Sequence, residues 1–121
     1  MGRVLSAALA VTAVALVIVS AGLSSPRGMM TLNATVGPGF TITLTQGGHR
    51  VTKLMAGTYR IAIADRSNEH NFVLRSAGTT RSLTPVGWTG TKTVSVKLGK
   101  GTWSFYCAPH AQSMRGTFRV T

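Results

Sequence analysis

Phe40-Thr41-Ile42-Thr43-Leu44-Thr45 places a large apolar side chain and a threonine at alternate positions. A period of two belongs to the β-strand, where successive side chains point to opposite faces. The stretch therefore predicts a half-buried strand with Phe40, Ile42 and Leu44 inward and three threonines outward. The same pattern runs outward from residue 31 to the end of the chain. Val51 to Leu54 predicts a shorter strand after a Gly47-Gly48 turn. Tyr59, Ile61 and Ile63 alternate with Arg60, Ala62 and Ala64, while His70, Phe72 and Leu74 share one face of a further strand. Val94, Val96 and Leu98 alternate with Thr93, Ser95 and Lys97. The Gly99-Lys100-Gly101 turn then leads into Thr102 to Cys107, with Trp103, Phe105 and Cys107 inward. Gly116 to Thr121 forms the last strand, with Phe118 and Val120 inward. Ser76 to Gly90, containing Pro85 and Trp88, breaks the alternation and predicts a long connection or an edge strand. No segment after residue 26 sustains a helical period, so the expected architecture is an all-β Greek-key β-sandwich of about 7-8 strands.

The beginning of the chain is of another kind. Arg3 is followed by an uncharged run from Val4 to Pro26, and Val19-Ser20-Ala21 offers residues of the size a signal peptidase accepts. Residues 1-24 are expected to be a signal peptide or a signal anchor, and residues 25-121 the folded domain. Val4 to Leu23 suffices for a tether, since a helix of roughly 20 residues spans a bilayer. Either outcome places the domain outside the cytoplasm.

The chain has 121 residues, with 13 Lys plus Arg against 2 Asp plus Glu, for a formal net charge of +11. This imbalance calls for an anionic partner. An exported domain with basic residues scattered along its strands does not fit nucleic acid, and the expected partner is a protein with an acidic docking surface. Asp65 and Glu69 are the only carboxylates. With no paired acids and no Ser/His/Asp arrangement, hydrolytic catalysis lacks its parts, and the protein is not expected to be an enzyme.

One cysteine, Cys107, excludes an internal disulfide framework and zinc sites that need two or four thiolates. In an exported protein, a thiol without a disulfide partner needs a reason to persist. Cys107 ends an inward-facing strand, Pro109 turns the chain, His110 follows three residues after the cysteine, and Met114 four residues later. A tight turn can present thiolate, imidazole and thioether to one point, and His70 can supply a second imidazole. Taken singly, a strand-end histidine, a buried cysteine and a core methionine are ordinary structural residues. Together, two imidazoles, a thiolate and a weak thioether form the ligand set of a blue-copper electron-transfer centre.

Gly101-Thr102-Trp103-Ser104-Phe105-Tyr106-Cys107-Ala108-Pro109-His110 resembles the copper-loop strand of the plastocyanins, and Glu69-His70-Asn71-Phe72 resembles their first-histidine segment. The domain from about Thr31 to Thr121 is thus similar to the plastocyanin/azurin group of cupredoxins. The resemblance implies one type 1 copper ion held by His70, Cys107, His110 and Met114. It implies that Asn71 ties the first-histidine segment to the cysteine loop, and that Tyr106, Pro109 and His110 lie on docking or electron paths. The His110-to-Met114 interval is one residue shorter than in plant plastocyanins and matches that of azurins, which separate cysteine from histidine more widely. The acidic surface of plant plastocyanins is absent. The expected function is single-electron carriage by an exported monomer, with copper delivery as the alternative. His49, at a turn, and Met29, Met30 and Met55, which form no spaced series, are not expected to bind metal.

Overall fold

The computed structural model describes Gly2 and residues 29–121. The expected export helix and its cleavage site lie outside the described residues. Ten strands follow: β1 (Met30–Val36), β2 (Ile42–Gln46), β3 (His49–Arg50), β4 (Lys53–Leu54), β5 (Gly57–Asp65), β6 (Phe72–Ser76), β7 (Thr79–Thr84), β8 (Gly90–Leu98), β9 (Gly101–Tyr106) and β10 (Arg115–Val120). They form two five-stranded sheets, in the orders β3-β2-β1-β5-β8 and β4-β10-β9-β6-β7. β1 pairs in parallel with β5, and β4 with β10, while the other ladders are antiparallel. The chain crosses between sheets after β3, β4, β5, β7 and β8, so that β5 pairs with β8 and β6 with β9, a Greek-key connection. Among the described residues no helix is long and apolar enough to cross a membrane.

Alternation decides which side chains fill the space between the sheets. Leu32, Ala34 and Val36 of β1, Tyr59, Ile61 and Ile63 of β5, and Val96 and Leu98 of β8 are buried from one sheet. Leu74, Trp103, Phe105, Phe118 and Val120 meet them from the other. Along this second inner face the Phe72 and Phe105 rings stack 5.7 Å apart, and Phe118 lies 6.4 Å from both Phe105 and Trp103. Gly116 stands opposite Phe105 in the ladder, and any Cβ there would fall on the Phe105 ring. The missing side chain is what lets this aromatic row run across three strands, β6, β9 and β10.

The structure departs from the expected pattern in three places. Phe40 is not an inward strand residue: β2 begins at Ile42, and Phe40 is 64% exposed. Gly37 and Gly39 adopt positive φ, Gly37 N–H donates to Thr41 C=O, and the Thr41 hydroxyl donates to Pro38 C=O. These bonds close a turn that holds Phe40 outside the ladder. Val51 to Leu54 is not one strand but a passage between sheets. Val51 N–H donates to Leu44 C=O on one side, while Lys53 and Leu54 pair with β10 on the other. Ser76 to Gly90, by contrast, matches its expectation: it contains β7, the edge strand beside β6, followed by a connection through Pro85 and Trp88. The count of ten exceeds 7-8 because the two-residue ladders β3 and β4 are too short to leave a periodic signal.

Candidate metal centre

Two loops at one end of the β4-β10-β9-β6-β7 sheet, called here the donor sheet, supply the chemistry. His70 precedes β6 and is held by a turn in which Asp65 Oδ1 accepts Ser67 N–H at 3.2 Å, Ser67 Oγ accepts Glu69 N–H, and Ser67 C=O accepts His70 N–H. Cys107 follows β9 directly. Pro109, which needs no N–H partner at the start of a helical turn, lies within the short 3-10 turn Ala108–His110. The chain then folds back: Met114 N–H donates to His110 C=O at 2.8 Å, and Cys107 N–H donates to Met114 C=O at 3.0 Å. Backbone bonds alone therefore fix Cys107, His110 and Met114 in one compact loop before β10.

The side chains converge. His70 Nδ1 and His110 Nδ1 are 3.0 Å apart, and Cys107 Sγ lies 3.6 Å from the first and 3.7 Å from the second. The centre of a triangle with these sides lies about 2.0 Å from each corner, the length of a metal–nitrogen bond and close to a metal–sulfur bond. This His70, Cys107, His110 cluster fits a type 1 copper site. Cys107 and Met114 are fully buried, His70 is 1% exposed, and His110 is half-buried. Water is kept from the sulfur atoms, while one imidazole edge nears the surface beside the exposed Pro109.

Asn71 Oδ1 accepts Ala108 N–H at 2.8 Å, a direct tie between the segment carrying His70 and the loop carrying Cys107 and His110. Tyr106 points to the opposite face from Cys107 and is half-buried rather than fully outward. His49 is exposed in β3 and is not part of the cluster. Met29, Met30 and Met55 are exposed.

Three neighbours of the site were not legible in the strand pattern. The Phe40 ring centroid lies 5.5 Å from that of His70 and 4.9 Å from that of His110, edge-on to the latter, so an exposed aromatic covers both imidazoles. The flanking Gly37-Pro38-Gly39 is the signal for a turn that could have placed it there. Buried Thr84 accepts Phe72 N–H at 2.9 Å through Oγ1, where the β6–β7 register shifts. Asp65, 2% exposed at the end of β5, keeps Oδ2 without a hydrogen-bond partner among the described residues.

No protein-family model matches the sequence, and no curated protein matches it. Solved structures do. Reduced rusticyanin is similar at 20% identity, with 75% of this chain and 78% of that chain covered and a TM-score of 0.55. A second rusticyanin structure, described as that of a copper protein, is similar at 17% identity, with 75% and 76% covered and a TM-score of 0.53. At this identity the likeness establishes the fold.

Proposed function

We infer that this cupredoxin is a type 1 copper protein that carries single electrons. The observation that carries the reading is the convergence of two imidazole nitrogens and one buried thiol on a single point. The copper chemistry of rusticyanin, and its existence in a reduced form, support the same reading for this chain. His70, Cys107 and His110 would hold the ion, with Met114 as a weaker fourth donor. Bound copper supplies a one-electron change between Cu(I) and Cu(II).

The chain's own residues supply the rest. Soft sulfur suits the reduced ion and imidazole the oxidised one, so the mixed donor set serves both with little movement. The Asn71 bond and the backbone bonds of the Cys107–Met114 loop hold the donors in place before metal arrives. Burial of Cys107 excludes water, and the half-buried His110 leaves a short route to a partner. The uncharged run from Val4 supports an extracytoplasmic location, with residues 1-24 removed as a signal peptide or kept as a tether. The excess of basic residues supports an acidic redox partner, and the lack of catalytic pairings supports a carrier rather than an enzyme.

Addition of Cu(II) to the chain is expected to produce the intense blue sulfur-to-copper absorption, and Cys107→Ser is expected to abolish it. A colourless wild-type protein overturns the reading. Met114→Leu is expected to shift the reduction potential; an unchanged potential removes Met114 from the ligand set. Reversible cycling without loss of metal distinguishes electron carriage from copper delivery.

A further inference from the structure

The outer face of the donor sheet has a charge pattern that copper ligation does not require. Tyr106, Ser104 and Thr102 of β9 point outward, opposite the buried Trp103, Phe105 and Cys107. Arg115 of β10 stands directly opposite Tyr106 in the ladder, and Arg75 of β6 stands opposite Ser104, one step diagonal from Tyr106. Both arginines are exposed. With Ser104, Tyr106 and Ala111 they line a shallow depression of about 170 Å³. A neighbouring depression shares Arg75, Ser104 and Arg115 and adds Ser76, Thr102 and Thr117. Exposed Lys53 and Arg119, opposite each other in the β4–β10 ladder, extend the same face. No side-chain carboxylate lies on it, because the chain's 2 acidic residues both belong to the Asp65–Glu69 turn.

We propose that the Arg75–Tyr106–Arg115 depression is the docking site for a carboxylate-rich segment of a partner protein. Two guanidiniums on adjacent ladders, with a phenol and a serine hydroxyl between them, offer several donors and no competing acceptor charge. A guanidinium binds carboxylate through two parallel hydrogen bonds, which gives orientation as well as attraction. The place of the patch matters as much as its sign. Tyr106 is bonded to Cys107, so a partner seated there is one peptide unit from the buried thiol. Arg60 and Lys97 make the outer face of the other sheet basic as well, but they lie on β5 and β8, which contribute no donor to the cluster. The proposal rests on the electron-carrier reading for its purpose, although acidic-segment binding is measured without it.

The test titrates the full chain with a hexaglutamate peptide at low salt and follows backbone amide and tyrosine ring resonances. The expected result is saturable binding, with shifts confined to Arg75, Ser104, Tyr106 and Arg115 and lost as salt rises past about 0.1 M, where the screening length falls to roughly 10 Å. Arg75→Gln/Arg115→Gln is expected to weaken binding by roughly five- to tenfold, as the loss of two exposed charge pairs implies. Arg60→Gln/Lys97→Gln removes the same net charge and is expected to leave binding within about twofold. Equal weakening by the two double variants, shifts centred on Arg60 and Lys97, or no saturable binding each overturn the proposal. Localised peptide binding to a chain that stays colourless with Cu(II) supports the docking site while defeating the copper reading. A blue chain that ignores the peptide does the reverse.

Discussion

The two sheets of this sandwich divide the work unequally. All of the proposed metal donors flank strands of the β4-β10-β9-β6-β7 sheet: His70 before β6, Cys107 after β9, and His110 and Met114 before β10. The β3-β2-β1-β5-β8 sheet contributes none. It supplies instead the aliphatic wall of the core, and at the metal end two neighbours, Phe40 from the β1–β2 turn and Asp65 at the end of β5. Its outer face carries threonine and alanine along Asn33, Thr35, Ala62, Ala64, Thr91 and Thr93, with Arg60 and Lys97 farther along the strands, whereas the donor sheet sets Arg75 and Arg115 around Tyr106. The contrast separates two tasks: one sheet fixes donor positions through strand register, and the other provides the burial that makes the register stable.

If this division is right, damage to the two sheets should have different signatures. The largest loss of stability is expected from the supporting sheet. Ile61, fully buried between Leu32 and Val94 in the ladders, should cost about 2–5 kcal/mol when changed to alanine. Thermal or denaturant unfolding of the copper-loaded chain would measure this loss, with the position of the blue band unchanged below the transition. A moved band would show that this wall also sets donor geometry.

Gly116→Ala strikes the donor sheet. Its new methyl group meets the Phe105 ring, and overpacking of this kind costs roughly 1–3 kcal/mol. Because β9 and β10 carry the ends of the metal loop, this variant should change the absorption spectrum as well as the melting temperature. A lower melting temperature with an unaltered spectrum would break the contrast between the sheets.

Asn71→Ala removes the acceptor for Ala108 N–H and should cost about 1 kcal/mol. Its sharper readout is copper affinity, expected to fall while Asn71→Asp, which keeps the acceptor, largely restores it. The smallest stability effect is expected from Phe40→Ala, below roughly 0.5 kcal/mol, since the side chain is mostly exposed. The cover over both imidazoles disappears with it, so exchange of copper with a chelator should quicken. Unchanged exchange would limit Phe40 to a passive place at the rim.

How much of this was legible beforehand follows from which forces are local. Alternation along Tyr59–Ile63, Val94–Leu98 and Thr102–Cys107 is written residue by residue, because strand period and core burial coincide there. The same alternation misplaced Phe40: a hydrophobic residue in phase with Ile42 and Leu44 looks inward unless the Gly37–Thr41 turn is weighed against it. β3 and β4 were illegible as separate strands because two-residue ladders exist only through their partners. The cluster was legible in kind, since the short spacing confines Cys107, His110 and Met114 to one loop. The approach of His70 to within 3.6 Å of Cys107 depends on β6 lying beside β9, a pairing of distant segments.

Residue order by itself determined the strand periodicity, the uncharged N-terminal run, the basic imbalance and the single thiol, because each is a property of composition or near-neighbour spacing. Only the tertiary structure decided which sheet bears the donors, where Phe40 covers them, and which arginines flank Tyr106. Those relations pass through long-range ladders whose register depends on the whole core rather than on any one strand.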